Sequence, residues 1–501
     1  MSKTDSSDTR DDSHRPKVGL ALSGGGFRAA AYHLGVLKRL EETGVLSHLS
    51  IMSTVSGGSI TGAAYALHCS QHGDGTPGSY SIDALIREIR EVVTHNLRGE
   101  ALFGGVSQVI QTALSFIPGK VRRMPLLVEE LDQRLYGEAS LRELPHWILI
   151  NATNLATGKC WKFFHNRVGD YLVGATDRTE TISVAEAVGA SAAYPLLVDP
   201  YPFQSRWEWF RSDLLDNRWM RGNSNLWRRR YGKRKGKLTL PLVDGGVYDN
   251  EGLNGLRSAE VDLAIYSSTA GPNTVYQDSW LAKNLKRTAH VMHGRLGAVT
   301  RQHAHEMTHG ISPDDARAEL EKVATELTAI RDKLEAEDLP TRDAIRQLEK
   351  CEDQLEELTD VAWPPRGPQY KAIAPILLRN TDIAENRPAS YSPPYDIPAQ
   401  DRGLIPTIVR DLARVRTDLD AYSPDVVDLL IAQGYFATDA HIKVNMPKLL
   451  AALNEVDDPR YDLSPSWEWA HDVVKRANAN EESTRRVLQE AAELKTLFGR
   501  S

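Results

Sequence analysis

Short apolar runs alternate with segments of helical periodicity in the first part of the chain. Residues 17–22 (KVGLAL) are typical of a buried strand, and residues 29–44 (AAAYHLGVLKRLEETG) predict a helix after a glycine-rich turn. A second strand, turn and helix are predicted in residues 51–67 (IMSTVSGGSITGAAYAL). Strands that alternate with helices favour a parallel sheet with helices on both faces, so the fold class is predicted to be α/β.

The same alternation continues further along the chain. The pattern predicts a strand with a hairpin, a helix of small residues, a strand with a glycine turn and two more strands, in residues 146–164, 183–197, 237–253, 261–271 and 370–378. Residues 313–360 repeat apolar positions at three- and four-residue steps on either side of Pro340, which predicts an antiparallel helical hairpin. From about residue 403 the pattern is helical.

These patterns divide the chain into five parts. The predicted divisions are a disordered tail over 1–16, a core over 17–310, a helical hairpin insertion over 311–362, a return to the core with closing helices over 363–435, and a C-terminal helical extension over 436–501. A second insertion, within the core, is predicted over residues 206–237.

Composition limits the class of protein. The chain has 501 residues, of which 41% are hydrophobic and 25% charged, as expected of a globular protein with at least one large core. Three cysteines without CxxC spacing argue against a disulfide scaffold or a zinc cluster and suit a reducing, cytoplasmic compartment. The polar, acidic N-terminus is the reverse of a signal peptide, and no window is long and apolar enough to predict a spanning helix.

Residues 101–119 (ALFGGVSQVIQTALSFIPG) contain no charged side chain and place their apolar residues largely on one helical face. Basic residues follow directly at Lys120, Arg122 and Arg123. This pattern suits a segment that dips into a membrane surface, and it equally suits a helix packed in the core or over a site. Both interpretations stay open on the sequence.

The insertion over 206–237 is strongly basic and aromatic. It holds eleven basic residues against three acidic ones, interleaved with Trp207, Trp209, Phe210, Trp219, Trp227 and Tyr231. Such a mixture suits an anionic membrane surface, a phosphate-rich ligand, single-stranded nucleic acid, or simply a solvated loop. The net charge of −7 indicates no general affinity for nucleic acid, so specific nucleic-acid binding is not expected.

Two turns contain residues suited to nucleophilic catalysis. The turn from Ser23 to Arg28 is rich in glycine and joins a strand to a helix, so its backbone N–H groups can point at an oxyanion. Ser56 lies in a second strand-turn-helix unit, the order of a nucleophile elbow. Thr54 stands where the usual elbow has glycine, so its side chain must fit against a neighbouring strand, and Ser59 is expected to cap the following helix.

A serine hydroxyl needs a base to accept its proton, and Asp244 is the best candidate. It ends a predicted strand, and the glycines after it let its carboxylate approach another loop. A histidine partner stays open, although none of the fifteen histidines occupies a comparable glycine turn. Asp249 and Asn250 are expected to be turn residues.

The strand, turn and helix segments described above, taken in their order along the chain, resemble the patatin-like phospholipase family. The elbow around Ser56 is also similar to that of cytosolic phospholipase A2. The segments that carry the resemblance are GLALSGGGFRAAAYHLGVLKRL, TVSGGSITGAAYAL, LPHWILINATNLATGKCWKFF, EAVGASAAYPLL and LVDGGVYDNEGL, with RVRTDLDAYSPDVVDLLIAQGY as a closing segment. They extend from about residue 17 to about residue 435, without the two insertions. The resemblance implies a three-layer fold with a mainly parallel central sheet.

The resemblance also implies an activity and its residues. Ser56 is then the nucleophile and Asp244 the base of a Ser-Asp dyad that hydrolyses fatty acyl esters of phospholipids at a membrane, without a metal or another cofactor. Arg28 is expected to steady the glycine-rich turn or to add positive potential. The oxyanion hole is assigned to Gly24, Gly25, Gly26 and Arg28.

Two alternatives remain open at this point. The same dyad could hydrolyse or transfer acyl groups of neutral lipids or other esters. Alternatively, the chain could be a regulated effector whose insertions bind a partner or a charged ligand. Some bacterial members of the family that the chain resembles are toxins delivered into host cells or defence effectors switched on by cyclic nucleotides. Regulation by such a ligand or by self-assembly therefore enters as an implication of the resemblance.

Overall fold

A sheet with a parallel centre organises the protein. The computed structural model describes residues 17–94, 123–195, 198–215, 220–225, 236–259, 261–269, 372–378, 403–415, 421–446, 449–450 and 464–492. All of these residues belong to one compact unit.

The strands of the described residues form one sheet of ten. In chain order they are Val18–Leu22 (β1), Leu49–Val55 (β2), Ile148–Asn154 (β3), Lys159–Phe163 (β4), Val168–Asp170 (β5), Gly174–Thr176 (β6), Tyr201–Arg206 (β7), Lys237–Asp244 (β8), Leu263–Ser268 (β9) and Ala372–Leu377 (β10). The five strands β10-β9-β1-β2-β3 are parallel. Beyond β3 the strands β4, β5 and β6 are antiparallel, and β8 pairs antiparallel with both β3 and β7.

Helices directly follow β1 and β2, and further helices lie between or after the other strands. In chain order they are Gly26–Glu42 (α1), Gly57–His72 (α2), Ile82–Thr94 (α3), Arg123–Leu131 (α4), Val184–Ser191 (α5), Gly246–Asp249 (α6), Leu253–Ser258 (α7), Pro406–Leu412 (α8), Pro424–Asn445 (α9), Glu468–Ala479 (α10) and Glu481–Ala492 (α11). A π-helical turn at Asp132–Tyr136 continues α4. Single 3₁₀ turns occur at Leu46–His48, Leu141–Glu143, Thr179–Thr181 and Trp207–Trp209.

Helices cover both faces of the parallel strands. A Cβ added to Gly62 of α2 would lie 2.6 Å from Thr54, whereas one added to Gly255 of α7 would lie 2.1 Å from Ser53. Because successive strand residues point to opposite faces, α2 and α7 lie on opposite sides of β2. The strands β1 and β3 are accordingly buried along their whole length, as in sheets that are covered on both faces.

The first helix and the long closing helix pack at very close range. A Cβ on Gly35 of α1 would lie 1.8 Å from the carbonyl oxygen of Ile431, and one on Gly434 of α9 would lie 2.1 Å from the carbonyl oxygen of Tyr32. A buried ion pair, with Arg39 Nη2 at 2.5 Å from Asp439 Oδ1, joins the same two helices. Glycine at both crossing positions lets the two backbones touch.

The structure confirms the predicted α/β class, the strands predicted from 17–22 to 370–378, and the helical character of the described residues beyond 403. Helix α1 begins at Gly26, inside the glycine run and three residues before the predicted helical pattern. Helix α9 continues across the predicted boundary between residues 435 and 436, so the closing helices are not separated from the extension there. The tail over 1–16, the segment over 101–119 and the hairpin insertion over 311–362 lie outside the described residues.

None of the described helices has the length and apolarity that a bilayer crossing requires.

Candidate active site

Ser56 occupies a sharp turn between β2 and α2. Its backbone has φ 51° and ψ −119°, and in the described part of the chain only Glu138 shares a positive φ among residues other than glycine. Holding such a conformation costs about 1–3 kcal/mol, and it is the strained geometry of a nucleophile elbow. Ser56 is the N-cap residue of α2, yet its side chain makes no capping hydrogen bond. Its hydroxyl is thus left for another partner.

The glycines after Ser56 allow two turns to touch. A Cβ on Gly57 would lie 2.0 Å from the carbonyl oxygen of Gly26, and one on Gly58 would lie 2.5 Å from the carbonyl oxygen of Leu22. No side chain fits in these gaps, because real Cβ atoms do not approach other atoms within 3.0 Å. The serine elbow and the glycine-rich turn therefore meet backbone to backbone.

The register of β3 brings Asp244 to Ser56. Along one edge of β3, Val55 of β2 pairs with Asn151, and Asp244 of β8 pairs with the next residue, Ala152. The two strands run toward each other along this edge, β2 parallel and β8 antiparallel to β3. Ser56 directly follows Val55, so the ends of the two strands place the serine and the aspartate side by side.

The Asp244 carboxylate accepts a hydrogen bond of 2.8 Å from the Gly246 N–H, and the neighbouring Ser56 side chain acts on its pKa as a hydrogen-bonding group. Only 2% of Asp244 is exposed. Burial disfavours the charged form and raises the pKa of Asp244 from 3.8 to about 6, although the two hydrogen bonds act in the opposite direction. The site thus holds a carboxylate that can accept a proton near neutral pH.

The glycine-rich turn lies against the same serine. A Cβ on Gly24 would lie 3.2 Å from the Cβ of Ser56, and Gly25 and Gly26 have φ values of 139° and 57°. The Gly24 N–H donates to the carbonyl oxygen of Asn250 at 3.0 Å. The prediction that Gly24 supplies an oxyanion donor is therefore wrong for this conformation, since its amide hydrogen is already used.

A buried histidine holds the base of the glycine-rich turn. His33 Nε2 lies 3.0 Å from the carbonyl oxygen of Ser23, and its Nδ1 lies 3.0 Å from the hydroxyl of Ser267. Burial lowers the pKa of His33 to about 4, so the ring is neutral near pH 7, with its proton on Nε2 facing the carbonyl. Thr269 adds a hydrogen bond of 2.7 Å from its hydroxyl to the Gly24 carbonyl oxygen. Nothing in the sequence pattern points to these residues.

Arg28 braces this turn from within the protein. Its Nη1 donates to the carbonyl oxygens of Ala413 and Val415 at 2.8 Å each, and its Nη2 donates to that of Thr269 at 2.5 Å. Burial lowers the pKa of Arg28 to about 10. None of the three acceptors belongs to the serine elbow or the Asp244 turn. Two roles were open for Arg28, to steady the glycine-rich turn or to add positive potential. These contacts support the first.

Thr54 fits the elbow by hydrogen bonding. Its hydroxyl donates to the Leu149 carbonyl oxygen of β3 at 3.1 Å and accepts from the Ser59 hydroxyl at 3.0 Å. The prediction that Ser59 caps α2 is wrong, because the helix begins two residues earlier and Ser56 is the N-cap residue. Asp249 is a turn residue as predicted, since its carboxylate accepts the N–H groups of three residues that follow it.

The insertion over 206–237 connects the hairpin β7–β8. Phe210 is buried, with its ring 5.8 Å from that of Trp161, so this aromatic residue belongs to the core and is not available to lipid. The Arg178 guanidinium lies over the Trp209 ring at 5.9 Å. The other aromatic residues of the predicted basic stretch, Trp219, Trp227 and Tyr231, lie outside the described residues.

Fold and site together define an α/β protein with a serine elbow that lies beside a buried carboxylate and a glycine-rich turn. The family model of patatin-like phospholipases matches residues 20–257, and this stretch is a patatin-like phospholipase domain. The resemblance seen in the sequence is confirmed over that range, which ends before the closing segment.

Several solved structures are similar to this chain at low sequence identity. Human GIVD cytosolic phospholipase A2 is 16% identical, with 56% of this chain and 48% of that chain covered and a TM-score of 0.34. VipD from Legionella pneumophila is 14% identical, with 96% and 92% covered and a TM-score of 0.23. ExoU in complex with SpcU from Pseudomonas aeruginosa is 15% identical, with 95% and 91% covered and a TM-score of 0.19.

The match to the human phospholipase spans about half the length of that protein. No curated protein matches the chain.

Proposed function

We propose that this protein is a serine acyl hydrolase that cleaves fatty acyl esters of membrane phospholipids, with Ser56 as nucleophile and Asp244 as base. The observation that carries the proposal is the buried Asp244 carboxylate beside the Ser56 side chain, which sits in a strained elbow. A hydroxyl paired with a base of raised pKa is the arrangement that nucleophilic catalysis needs. The patatin-like phospholipase domain supports an ester as substrate.

In the first half of the reaction the Ser56 hydroxyl oxygen attacks the ester carbonyl carbon, and its proton passes to Asp244. The carbonyl π bond becomes the lone pair of a tetrahedral oxyanion. The oxyanion collapses, the bond to the leaving alcohol breaks, and the protonated Asp244 returns the proton to that alcohol. A covalent acyl-serine remains.

In the second half water replaces the alcohol. Asp244 removes a proton from a water molecule, whose oxygen attacks the acyl carbon and forms a second tetrahedral oxyanion. When the bond to Ser56 breaks, the serine oxygen recovers the proton from Asp244 and the fatty acid leaves. One carboxylate acts alternately as base and acid, so a pKa of about 6 suits both tasks near neutral pH.

The oxyanion donors in this proposal are the N–H groups of Gly25, Gly26 and Gly57. Gly26 and Gly57 are the first residues of α1 and α2, where N–H groups have no acceptor within the helix. Two helix N-termini that converge on one position favour negative charge there. Each such donor contributes about 2.7–4 kcal/mol to transition-state stabilisation in other enzymes.

The hairpin β7–β8 supports contact with a membrane on the side of the dyad. The strand β8 pairs with β3 from Leu242 to Asp244, so its earlier residues continue past the carboxyl end of β3. At about 3.3 Å per residue, the start of β8 at Lys237 lies about 20 Å beyond the dyad. Lys237, where the basic insertion ends, thus lies on the side where Ser56 follows β2, and we propose that the insertion binds anionic lipid there.

The dyad is tested by fatty-acid release from purified protein with Ser56→Ala and with the isosteric Asp244→Asn. Both variants should lose release by at least about 1,000-fold, as with other nucleophile and base removals. Ser47→Ala, in an exposed turn, is the matched serine control and should keep wild-type activity. Undiminished release by Ser56→Ala, with the fold intact, refutes the proposal.

The substrate class is tested by giving the wild type phospholipids and neutral glycerides as separate vesicles or emulsions, and by identifying products by mass spectrometry. Preference for phospholipids supports the proposal, whereas preference for glycerides transfers it to neutral esters. Adding cyclic nucleotides to the same assay tests the regulatory ligand, because an activator must raise the rate.

Membrane binding is tested by sedimentation with phosphatidylserine vesicles at low and high salt. Charge reversal at Arg228, Arg229 and Arg230 should weaken binding, since each basic residue near an anionic surface contributes about 1 kcal/mol. The control changes net charge equally in α10 and α11, at Lys475, Arg476 and Arg486. Binding that ignores salt, or that falls equally in both triple variants, argues against docking through the insertion.

A further inference from the structure

The C-terminal end of α5 contacts both members of the proposed dyad. The Ser56 N–H donates to the Ser191 hydroxyl at 2.8 Å. The N–H groups of Asp244 and Gly245 donate to the carbonyl oxygens of Ala193 and Ser191, at 2.9 and 3.1 Å. One short segment thus holds the serine through a side chain and the aspartate through its main chain.

The Ser191 hydroxyl is fixed in direction. It lies 2.6 Å from the carbonyl oxygen of Asn151 and 2.9 Å from the Ser59 hydroxyl, and it is fully buried. A carbonyl oxygen only accepts, so the Ser191 proton points at Asn151 and a lone pair remains for the Ser56 N–H. Asn151 is the residue of β3 that pairs with Val55, directly before the elbow.

We propose that Ser191 is a positioning residue that holds the Ser56 elbow in register with Asp244; this inference rests on the proposed function. Ser56 has left β2, and as the N-cap residue of α2 it lies outside the helical hydrogen-bond pattern, so its N–H needs an acceptor from elsewhere in the fold. Ser191 supplies that acceptor at a residue of strained backbone. Without it the elbow can relax, and the distance from the hydroxyl to Asp244 changes.

The chemistry separates this role from a general effect on the base. The bonds from α5 to Asp244 and Gly245 come from main-chain carbonyls, which Ser191→Ala retains. The pH at which activity falls on the acid side should therefore move only slightly upward in Ser191→Ala, because a displaced Ser56 side chain lowers the pKa of Asp244 less. The kcat should fall about 10- to 100-fold, because a buried N–H loses its acceptor and small displacements of a nucleophile are costly. The KM should stay within about twofold.

Ser183→Ala is the matched control. Ser183 caps the other end of the same helix, where its hydroxyl accepts the Glu186 N–H at 3.0 Å. Loss of this cap should lower the melting temperature by about 2–4 °C and leave kcat unchanged. A variant that is only less stable thus behaves differently from one that misplaces Ser56.

The experiment measures three quantities for wild type, Ser183→Ala, Ser191→Ala and Ser191→Cys. They are the rate of Ser56 labelling by a fluorophosphonate, kcat and KM for phospholipid vesicles across pH 5–8, and the melting temperature. Ser191→Cys retains the volume and a weak acceptor, so its labelling rate should lie between those of wild type and Ser191→Ala. If Ser191→Ala does not fold, the comparison of Ser191→Cys with Ser183→Ala carries the test.

The positioning role of Ser191 and the proposed function can be overturned by different results. Wild-type labelling and kcat in Ser191→Ala and Ser191→Cys overturn the positioning role alone, as does a downward shift of the acid limb of the pH profile. Absence of Ser56-dependent labelling and hydrolysis in the wild type overturns the proposed function, and the positioning role with it.

Discussion

Replacing Asp244 by asparagine should stabilise the folded protein at neutral pH while it abolishes the proposed activity. The carboxylate is buried, and its raised pKa shows that the folded protein disfavours the charge. Asparagine has nearly the same shape, carries no charge, and keeps an oxygen for the Gly246 N–H that Asp244 now accepts. The variant therefore removes the cost of burying the charge and little else.

The magnitude follows from the pKa. A rise from 3.8 to about 6 corresponds to about 3 kcal/mol between the two protonation states. Because the folded state binds this proton more tightly, the wild type loses no stability through Asp244 below pH 3.8 and loses it progressively as the pH rises through about 6. The advantage of Asp244→Asn should be about 1.5 kcal/mol at pH 5 and about 3 kcal/mol at pH 8.

The assay is urea unfolding followed by tryptophan fluorescence at pH 5, 6, 7 and 8, for wild type, Asp244→Asn and Ser56→Ala. Ser56→Ala keeps the charge but removes the hydroxyl that lowers the pKa of Asp244, so its stability at pH 8 should fall by about 1 kcal/mol. Two variants without activity should thus differ in the sign of their effect on the free energy of unfolding.

Equal stability of wild type and Asp244→Asn across this pH range would refute the reasoning. It would mean that the carboxylate is not destabilised by burial, and that its pKa lies near the ordinary value. A stabilisation that does not grow with pH would likewise show that the effect has a cause other than the charge of Asp244.

Three further outcomes are expected. For the wild type, kcat/KM should fall tenfold per pH unit below about pH 6, as Asp244 becomes protonated; a level profile down to pH 4.5 contradicts its role as base. Gly24→Ala should slow fluorophosphonate labelling at least tenfold, because the new methyl would lie 3.2 Å from the Ser56 Cβ; wild-type labelling would show that the turn can yield. Gly35→Ala should cost at least about 3 kcal/mol by urea unfolding, since its Cβ meets a carbonyl oxygen of α9 at 1.8 Å, whereas Gly222→Ala, in a helical stretch with open space around it, should not destabilise the protein.

The family match ends at residue 257, yet the core does not. The strands β9 and β10 extend the parallel sheet, α9 packs on α1, and Arg28 binds carbonyl oxygens at residues 413 and 415. The glycine-rich turn is therefore supported by residues nearly four hundred positions away in sequence. A domain cut at residue 257 would lose β9 and β10, the helix α9, and the carbonyl oxygens that Arg28 binds.

The local order of elements could be predicted from the sequence, because it depends on neighbours in the chain. Apolar runs, helical periodicity and glycine turns placed β1, β2, β8, β9 and β10 correctly, and they put Ser56 and Asp244 at the ends of strands. Thr54 in the elbow was recognised as a side chain that must fit against a strand, and it does so by a hydrogen bond to β3. The dyad itself stays a proposal, although the strand register places its two residues side by side.

The supports of the site were decided by tertiary structure. Ser191 is one hydroxyl in a run of small residues, and only the fold shows that this run ends beside Ser56. The sequence likewise could not show that Gly24 has already given its N–H to Asn250, or that Arg28 turns toward main-chain carbonyls. Hydrogen-bond partners far apart in the chain depend on which strand lies next to which. That order is set by the packing of all elements together, and no single segment contains it.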